Sequence, residues 1–437
     1  MESYGAGLKN HGQVCKVMYG TLSPDQSSPC LPGDQISLDQ SIGDLFRAYG
    51  EEYIRIYHPS SHKIKLIRAI RVCKTPYLGG QTIKCKDCGK ELKVYHSCGH
   101  SQCPLCQSIK RAQWQEKLGD KLLAVPYVHT VFTLPHELNK LGRRYPSELY
   151  NLLMRCAWRT VKRLSSDPDN IGGLPGMVSV LHTFGSDLKY HLHVHCLITF
   201  GGLNNSGAWV WPRRKKQLAS YREMCREFRK EFLSGMEKLI SKRKIKVGLD
   251  WAAVKSIIEK KRWNVKNTYP TMETSLIENY LSRYINRVAI SRNRFKYIAD
   301  QQKVEILYHD YRNQEEGKAA PKKLKPLAPL LAIHQIMMHV LPPYFQKARY
   351  YGLHSVATFK RLQDKIPDKL KRNGGSIRTL FEILNHLLKL TPYKCEECKS
   401  ENYEILEIPP DRSWARFIIL LNNKSPPINA WHRNIKP

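Results

Sequence analysis

Three histidines stand at alternate positions in the stretch "KYHLHVHCLITFGG", residues 189–202. On a β-strand the period of two sends His191, His193 and His195 to one face. Imidazole suits transition-type divalent metals, so His193-Val194-His195 can chelate a single ion. The residues just before, "MVSVLHTFGSDL", read as a second β-run joined by a turn over Gly185–Lys189. With that turn centred between Asp187 and Leu188, His182 falls opposite His193, at a Cβ separation of ~5 Å. His182 is the expected third ligand and His191 the alternative, because a two-residue slip in register exchanges their roles. Three protein ligands leave coordination positions open, as a catalytic ion requires.

A second set of ligand types is built from cysteine. Of thirteen cysteines, six lie between Cys73 and Cys106, and two more form Cys395-x-x-Cys398. Such clustering points to metal rather than disulfides in a chain whose start shows no charged region followed by an apolar one. Cys85-x-x-Cys88 and Cys103-x-x-Cys106 have the spacing of a zinc ribbon, each pair gripping one side of a tetrahedral Zn2+. Cys73, Cys98, His96 and His100 supply either a second four-ligand site or supporting and core positions. Cys395 and Cys398 form half a site, equally consistent with a simple turn. Four protein ligands leave no open position, so these ions are structural.

Elements must carry these side chains. Helical spacing runs over Ile42–Ile70, the cysteine module follows to about residue 108, and helical sequence returns over 109–123. A strand at Val125–Pro135 leads into a long helix ending near Ser165; the histidine hairpin occupies Met177–Phe200, and basic helical sequence continues to about Ile245. Ser275-x-x-Glu278 is a capping box that starts a helix, on which Tyr280 and Tyr284 are one turn apart on one face. Tyr280, Tyr284, Ile277, Leu281 and Val288 also make an ordinary amphipathic stripe. Arg283 and Arg287 flank it and can hold phosphates. A strand at Val304–Tyr308 precedes a mainly helical C-terminal region. Residues 1–40, polar and rich in Gly, Ser and Pro, read as a poorly ordered leader.

With 71 Lys+Arg against 38 Asp+Glu, the net charge of +33 is spread along the chain and calls for a polyanionic partner, nucleic acid first. The segment "WVWPRRKK", with Trp211, Arg213, Arg214, Lys215 and Lys216, and "KKRW" at 260–263 offer the phosphate contacts and base stacking that single strands need. No uninterrupted apolar run reaches membrane-spanning length, and the chain reads as soluble and intracellular.

Taken together, a basic chain with a His-hydrophobic-His strand and a helix presenting paired tyrosines resembles the HUH single-strand endonucleases. Within them it is most similar to the two-tyrosine IS91 family of insertion-sequence transposases. The blocks "RAIRVCKTPYLGGQTIKCKDCG", "CPLCQ", "HTVFTLPHEL", "LHTFGSDLKYHLHVHCLITFGGL", "YLSRYINRVAISRNRF" and "HVLPPYFQKARYYGL" run in that family's order over roughly residues 43–360. Leu192 replaces the proline common between the first two histidines, and Gln102 the histidine common before the CxxC pair.

The resemblance implies an α+β chain with an N-terminal zinc-binding module (41–115). An HUH endonuclease domain comes next (120–310), with a basic insert at about 205–270, and then a C-terminal helical extension (311–437). It implies Mg2+ or Mn2+ at the histidines, Zn2+ at the cysteines, Tyr280 and Tyr284 as nucleophiles, and single-stranded and hairpin DNA ends plus target DNA as partners. It also implies a bacterial cytoplasmic, nucleoid-associated location. The rivals are a replication initiator or relaxase with the same chemistry, and a zinc-dependent DNA-binding regulator whose histidines and tyrosines are structural.

Overall fold

A computed structural model describes residues 41–106, 118, 122–248, 250–272, 290, 294–313, 315, 319–371 and 394–414. Its first helix, α1 (Ile42–Tyr57), begins in a capping box: the Ser41 hydroxyl accepts from the Asp44 N–H at 3.2 Å, and the Asp44 carboxylate accepts the Ser41 N–H at 3.1 Å. Such caps contribute on the order of 1 kcal/mol. Helix α2 (Ser61–Val72) returns against α1, and strands β1 (Gly80–Cys85) and β2 (Glu91–Tyr95) form a hairpin. The chain continues through β3 (Tyr127–Thr133), helix α3 (Pro146–Ser166), and β4 (Gly176–Phe184) with β5 (Tyr190–Thr199). Helices α4 (Tyr221–Ser241) and α5 (Asp250–Lys260) precede β6 (Asn264–Asn267). Then come β7 (Phe295–Ile298), β8 (Lys303–His309), β9 (Lys322–Leu327), α6 (Pro329–Met338), β10 (Ala348–Gly352) and β11 (Tyr403–Ile408).

The site is built on a five-stranded antiparallel sheet in the order β10-β4-β5-β3-β6. Alternation divides its two faces. Val128 and Phe132 of β3, Leu181 of β4, and Leu192, Val194 and Cys196 of β5 turn toward α3 and α4, in a core that includes Phe228, Phe232 and Trp263. Each large apolar side chain buried there is worth about 1.5–3 kcal/mol. The intervening residues take the other face, where Tyr127, Val178, Val180 and Leu197 enter a separate core and the histidines sit.

Two expectations about chain organisation change. A boundary near residue 310 does not separate the sheet from the later part of the chain, because β10 pairs along β4 from Ala348↔Val180 to Gly352↔Gly176. The region after 310 is also not mainly helical among the described residues: β9, β10 and β11 are strands, and β11 pairs with β1 in the N-terminal module. Gly352, in the block "HVLPPYFQKARYYGL", stands where only glycine fits. Its φ is +56°, and a Cβ there would lie 1.9 Å from the Pro175 carbonyl oxygen.

The N-terminal helices are likewise not self-contained. Leu45, Phe46, Tyr49 and Ile67 share one core with Phe295, Tyr297, Val304, Ile306 and Ile333 from β7, β8 and α6, and with Leu188 from the histidine hairpin. The leader, residues 109–117, the Ser275 capping box, Tyr280, Tyr284, Arg283 and Arg287 lie outside the described residues.

Candidate metal centre and its surroundings

The hairpin sets the histidine geometry. Its turn runs from Gly185 to Lys189, with the Gly185 N–H donating to the Lys189 carbonyl at 3.0 Å and Leu188 in the left-handed region at φ +61°. That conformation costs a branched residue about 1–2 kcal/mol. Leu188 is fully buried in the N-terminal core and its carbonyl accepts from His339 Nε2 at 3.0 Å, which holds it there. The pairing expected from the turn, His182 opposite His193, is the one formed.

A β-bulge lies between this pair and Phe184↔Tyr190. It sets two residues of β5, His191 and Leu192, against Thr183, and bulges re-aim side chains beside functional sites. The ring nitrogens of His182, His193 and His195 lie within 4.8 Å of one another; His191, within the bulge, is not in the group. Ring centroids are 4.5 Å apart for His182–His195 and 4.9 Å for His193–His195.

The two strand histidines are oriented from behind. Nδ1 of His193 donates to the carbonyl oxygen of His191 at 3.0 Å, so its Nε2 carries the lone pair. Nδ1 of His195 lies 3.0 Å from Nε2 of His129 on β3, an arrangement that leaves Nε2 of His195 for an ion when His129 accepts. Burial pushes His193 and His129 down to about 3, and His195 well below the ordinary imidazole range. All three are neutral near pH 7, the form that ligates metal. Lys347 adds to the lowering at His193 and His195, and Lys266 to that at His129. The cluster is thus a nitrogen-donor set beside cations, suited to an ion that meets phosphate.

Sequence reasoning missed His129 and Lys347. Both stand within family blocks, "HTVFTLPHEL" and "HVLPPYFQKARYYGL", but a lone histidine and a lone lysine carry no periodic signal. The Lys347 carbonyl accepts from the Leu181 N–H at 3.0 Å, which holds this residue beside β4 where β10 joins the sheet.

The cysteines are paired differently from the expected ribbon of Cys85, Cys88, Cys103 and Cys106. Cys103 and Cys106 come together with Cys73 and Cys98, while Cys85 and Cys88 come together with Cys395 and Cys398, each foursome within 4.8 Å. His96 and His100 are in neither group; His100 Nδ1 accepts from the Gln102 N–H at 3.2 Å instead. Gln102 is a strut, its side chain donating to the Leu341 carbonyl at 3.3 Å and accepting the Leu341 N–H at 2.6 Å. The reason for the exchange is the β1–β2 hairpin, which carries Cys85 and Cys88 to one end while α2 and the 96–106 loop gather at the other. Hydrogen bonds from Cys103, Cys73 and Cys98 hold Cys106 far below the ordinary thiol range. Backbone N–H groups of Cys398 and Glu397 donate to Cys395 and bring it to about 7.

Of the expected DNA contacts, Trp211 is 52% exposed, and the Lys216 ammonium lies 5.5 Å from the ring centre of Tyr269, a residue the sequence reading did not single out and which is 72% exposed. The Thr268 N–H, next to Tyr269, donates to the His129 carbonyl at 2.9 Å and the Thr268 hydroxyl accepts the His129 N–H at 3.1 Å, which links this strip to the histidine cluster. Lys215 is exposed. Arg213 is turned to Asp169 at 3.2 Å, and Arg214 to Asn170 at 2.5 Å and Glu223 at 3.8 Å. The "KKRW" segment offers no stacking base: Trp263 is buried in the main core and donates to the Ile258 carbonyl at 2.9 Å.

Two family models and two known proteins match the chain. A family model described as "Putative transposase" matches residues 176–361, which include the hairpin, β10 and Lys347. The IS91-type "Transposase zinc-binding domain" matches residues 45–134. "Putative transposase y4qJ" of Sinorhizobium fredii is 33% identical over 322 residues, covering 71% of this chain and 79% of that protein. The transposase for insertion sequence element IS801 of Pseudomonas savastanoi pv. phaseolicola is 24% identical over 357 residues, covering 77% and 82%. No solved structure matches the chain. A zinc-binding module joined to a mixed α+β body with antiparallel sheets, together with these matches, defines a DNA transposase. Within that class the chain belongs to the IS91 family. Among the described residues no helix is long and apolar enough to cross a membrane.

Proposed function

We propose that this transposase is an HUH-type endonuclease that cuts and rejoins single-stranded DNA through a 5′-phosphotyrosine, moving its element by a rolling-circle route. The observation that carries the reading is the convergence of His182, His193 and His195, with His193 and His195 held neutral, on one face of the sheet beside Lys347. A Mg2+ or Mn2+ ion held there would polarise the scissile phosphodiester and steady the charge that develops on it.

The protein's own groups do the rest. His129 and the His191 carbonyl keep the two strand histidines aimed, and Lys347 faces the phosphate. Tyr280 or Tyr284 attacks phosphorus through its hydroxyl oxygen, losing the phenolic proton, and the bond from phosphorus to the 3′ oxygen breaks. The 3′ oxygen takes a proton. Free tyrosine has a pKa of about 10, so attack near pH 7 needs help in removing that proton. Because a phosphodiester is exchanged for a phosphodiester, a later 3′-hydroxyl can reverse the step without a nucleotide cofactor. A second tyrosine lets one end stay held while another strand is cut. Trp211, Tyr269 and Lys216 would track the bases and backbone of the single strand.

The test is incubation of the protein with labelled single-stranded DNA and Mn2+. The expected product is a protein–DNA adduct that survives denaturation, lost in the Tyr280→Phe, Tyr284→Phe double variant and in His193→Ala. An adduct that persists without both tyrosines would refute the assignment, and no adduct with the wild-type protein would favour a binding role alone.

A further inference from the structure

The zinc-binding match ends at residue 134, yet one of the two cysteine foursomes draws half its members from the other end of the chain. Cys85 Sγ lies 3.5 Å from Cys398 Sγ, and Cys88 Sγ lies 3.5 Å from Cys395 Sγ, partners 313 and 307 residues apart. Four thiolates around Zn2+, at a metal–sulfur distance of ~2.3 Å, sit ~3.8 Å from one another. The sulfurs here bracket that spacing, and each pair has the two-residue gap of a zinc knuckle.

The surrounding contacts converge on the same closure. Strand β11 pairs with β1 over six residues, from Gly80↔Ile408 to Cys85↔Tyr403, so β1 is central in a sheet of order β11-β1-β2. Lys90 Nζ donates to Glu397 at 2.6 Å, Asn402 Nδ2 donates to Asp87 at 3.1 Å, and the Lys86 N–H donates to the Asn402 carbonyl at 3.0 Å. The apolar support is slight: Ile83 and Val94 are the buried pair, with Leu92, Tyr403 and Ile405 packed around them. So small a core is where a structural ion is needed.

We propose that Cys85, Cys88, Cys395 and Cys398 bind a structural Zn2+ that clasps the C-terminal strand to the N-terminal module, separate from the ion of Cys73, Cys98, Cys103 and Cys106. Metal binding at this site is coupled to docking of residues 394–414, since neither pair alone completes a tetrahedral site. The module is finished only when the far end of the chain reaches it.

The test compares the zinc content of full-length protein, purified under reducing conditions, with that of variants. Cys395→Ser/Cys398→Ser loses one ion per chain, Cys85→Ser/Cys88→Ser loses the same ion, and the quadruple variant loses no more than one. In either double variant the amides of β1 and β11 exchange with solvent faster, while those of β4 and β5 keep their protection. Unchanged zinc in the Cys395→Ser/Cys398→Ser protein, loss of two ions in the quadruple variant, or a mass four hydrogens lower with no zinc at this site would each overturn the clasp. Loading with Co2+ guards against a misfolded serine variant. Cys398→His turns one four-sulfur cobalt spectrum into a three-sulfur one, and an unchanged spectrum would count against the proposal.

Discussion

His182 and His191 are the sharpest pair on which to test the metal centre, because strand alternation admits His191 while the hairpin register brings His182 into the group. His182→Ala removes one of three nitrogens that lie within 4.8 Å. Loss of a group that merely supports a metal ligand costs ten- to a hundredfold in affinity, so loss of a ligand is expected to cost at least ~100-fold, on the order of 2.8 kcal/mol. His191→Ala keeps the backbone carbonyl that accepts from His193 Nδ1, so Mn2+ affinity should stay within about threefold, under ~0.7 kcal/mol. Free Mn2+ measured by electron paramagnetic resonance during titration reads both constants. His182 is only 2% exposed, and truncation leaves a void. Unfolding in chelator therefore accompanies the titration, and His182→Gln, which fills the space, should lose metal affinity with less loss of stability. Equal losses from His182→Ala and His191→Ala would refute the bulge argument.

Further expectations concern pH, backbone and DNA. Without metal, His129 and His193 titrate at about 3 in the fold against about 6.5 in the unfolded chain. Acid therefore favours unfolding: their stabilisation is complete above about pH 6.5 and is lost toward pH 3, at about 1.4 kcal/mol per pH unit for each. Thermal unfolding in chelator, followed from about pH 7.5 to about 5, should show this fall, and a flat midpoint would contradict it. Gly352→Ala places a Cβ against the Pro175 carbonyl in a left-handed residue and should cost more than ~2 kcal/mol in urea unfolding. Trp211→Ala and Tyr269→Ala should each weaken single-strand binding by about 1–3 kcal/mol in fluorescence anisotropy. Lys347→Ala should reduce the slope of log affinity against log salt by about one.

Local geometry was legible in the sequence. Period two put His193 and His195 on one face, turn arithmetic brought His182 opposite His193, and helical spacing found α1, α2 and α3. These features depend on residues a few positions apart, where backbone geometry alone sets the outcome. The two-residue gap within each cysteine pair was legible for the same reason; which pair meets which was not. Cys85 and Cys88 choose Cys395 and Cys398 because β1 accepts β11 as its neighbour, and that choice is made between strands more than 300 residues apart. His129, Lys347 and the bulge that sets His191 aside were equally hidden. Each depends on how β3, β10 and the Leu188 turn dock onto packed cores, and no periodicity along the chain records a contact made by docking.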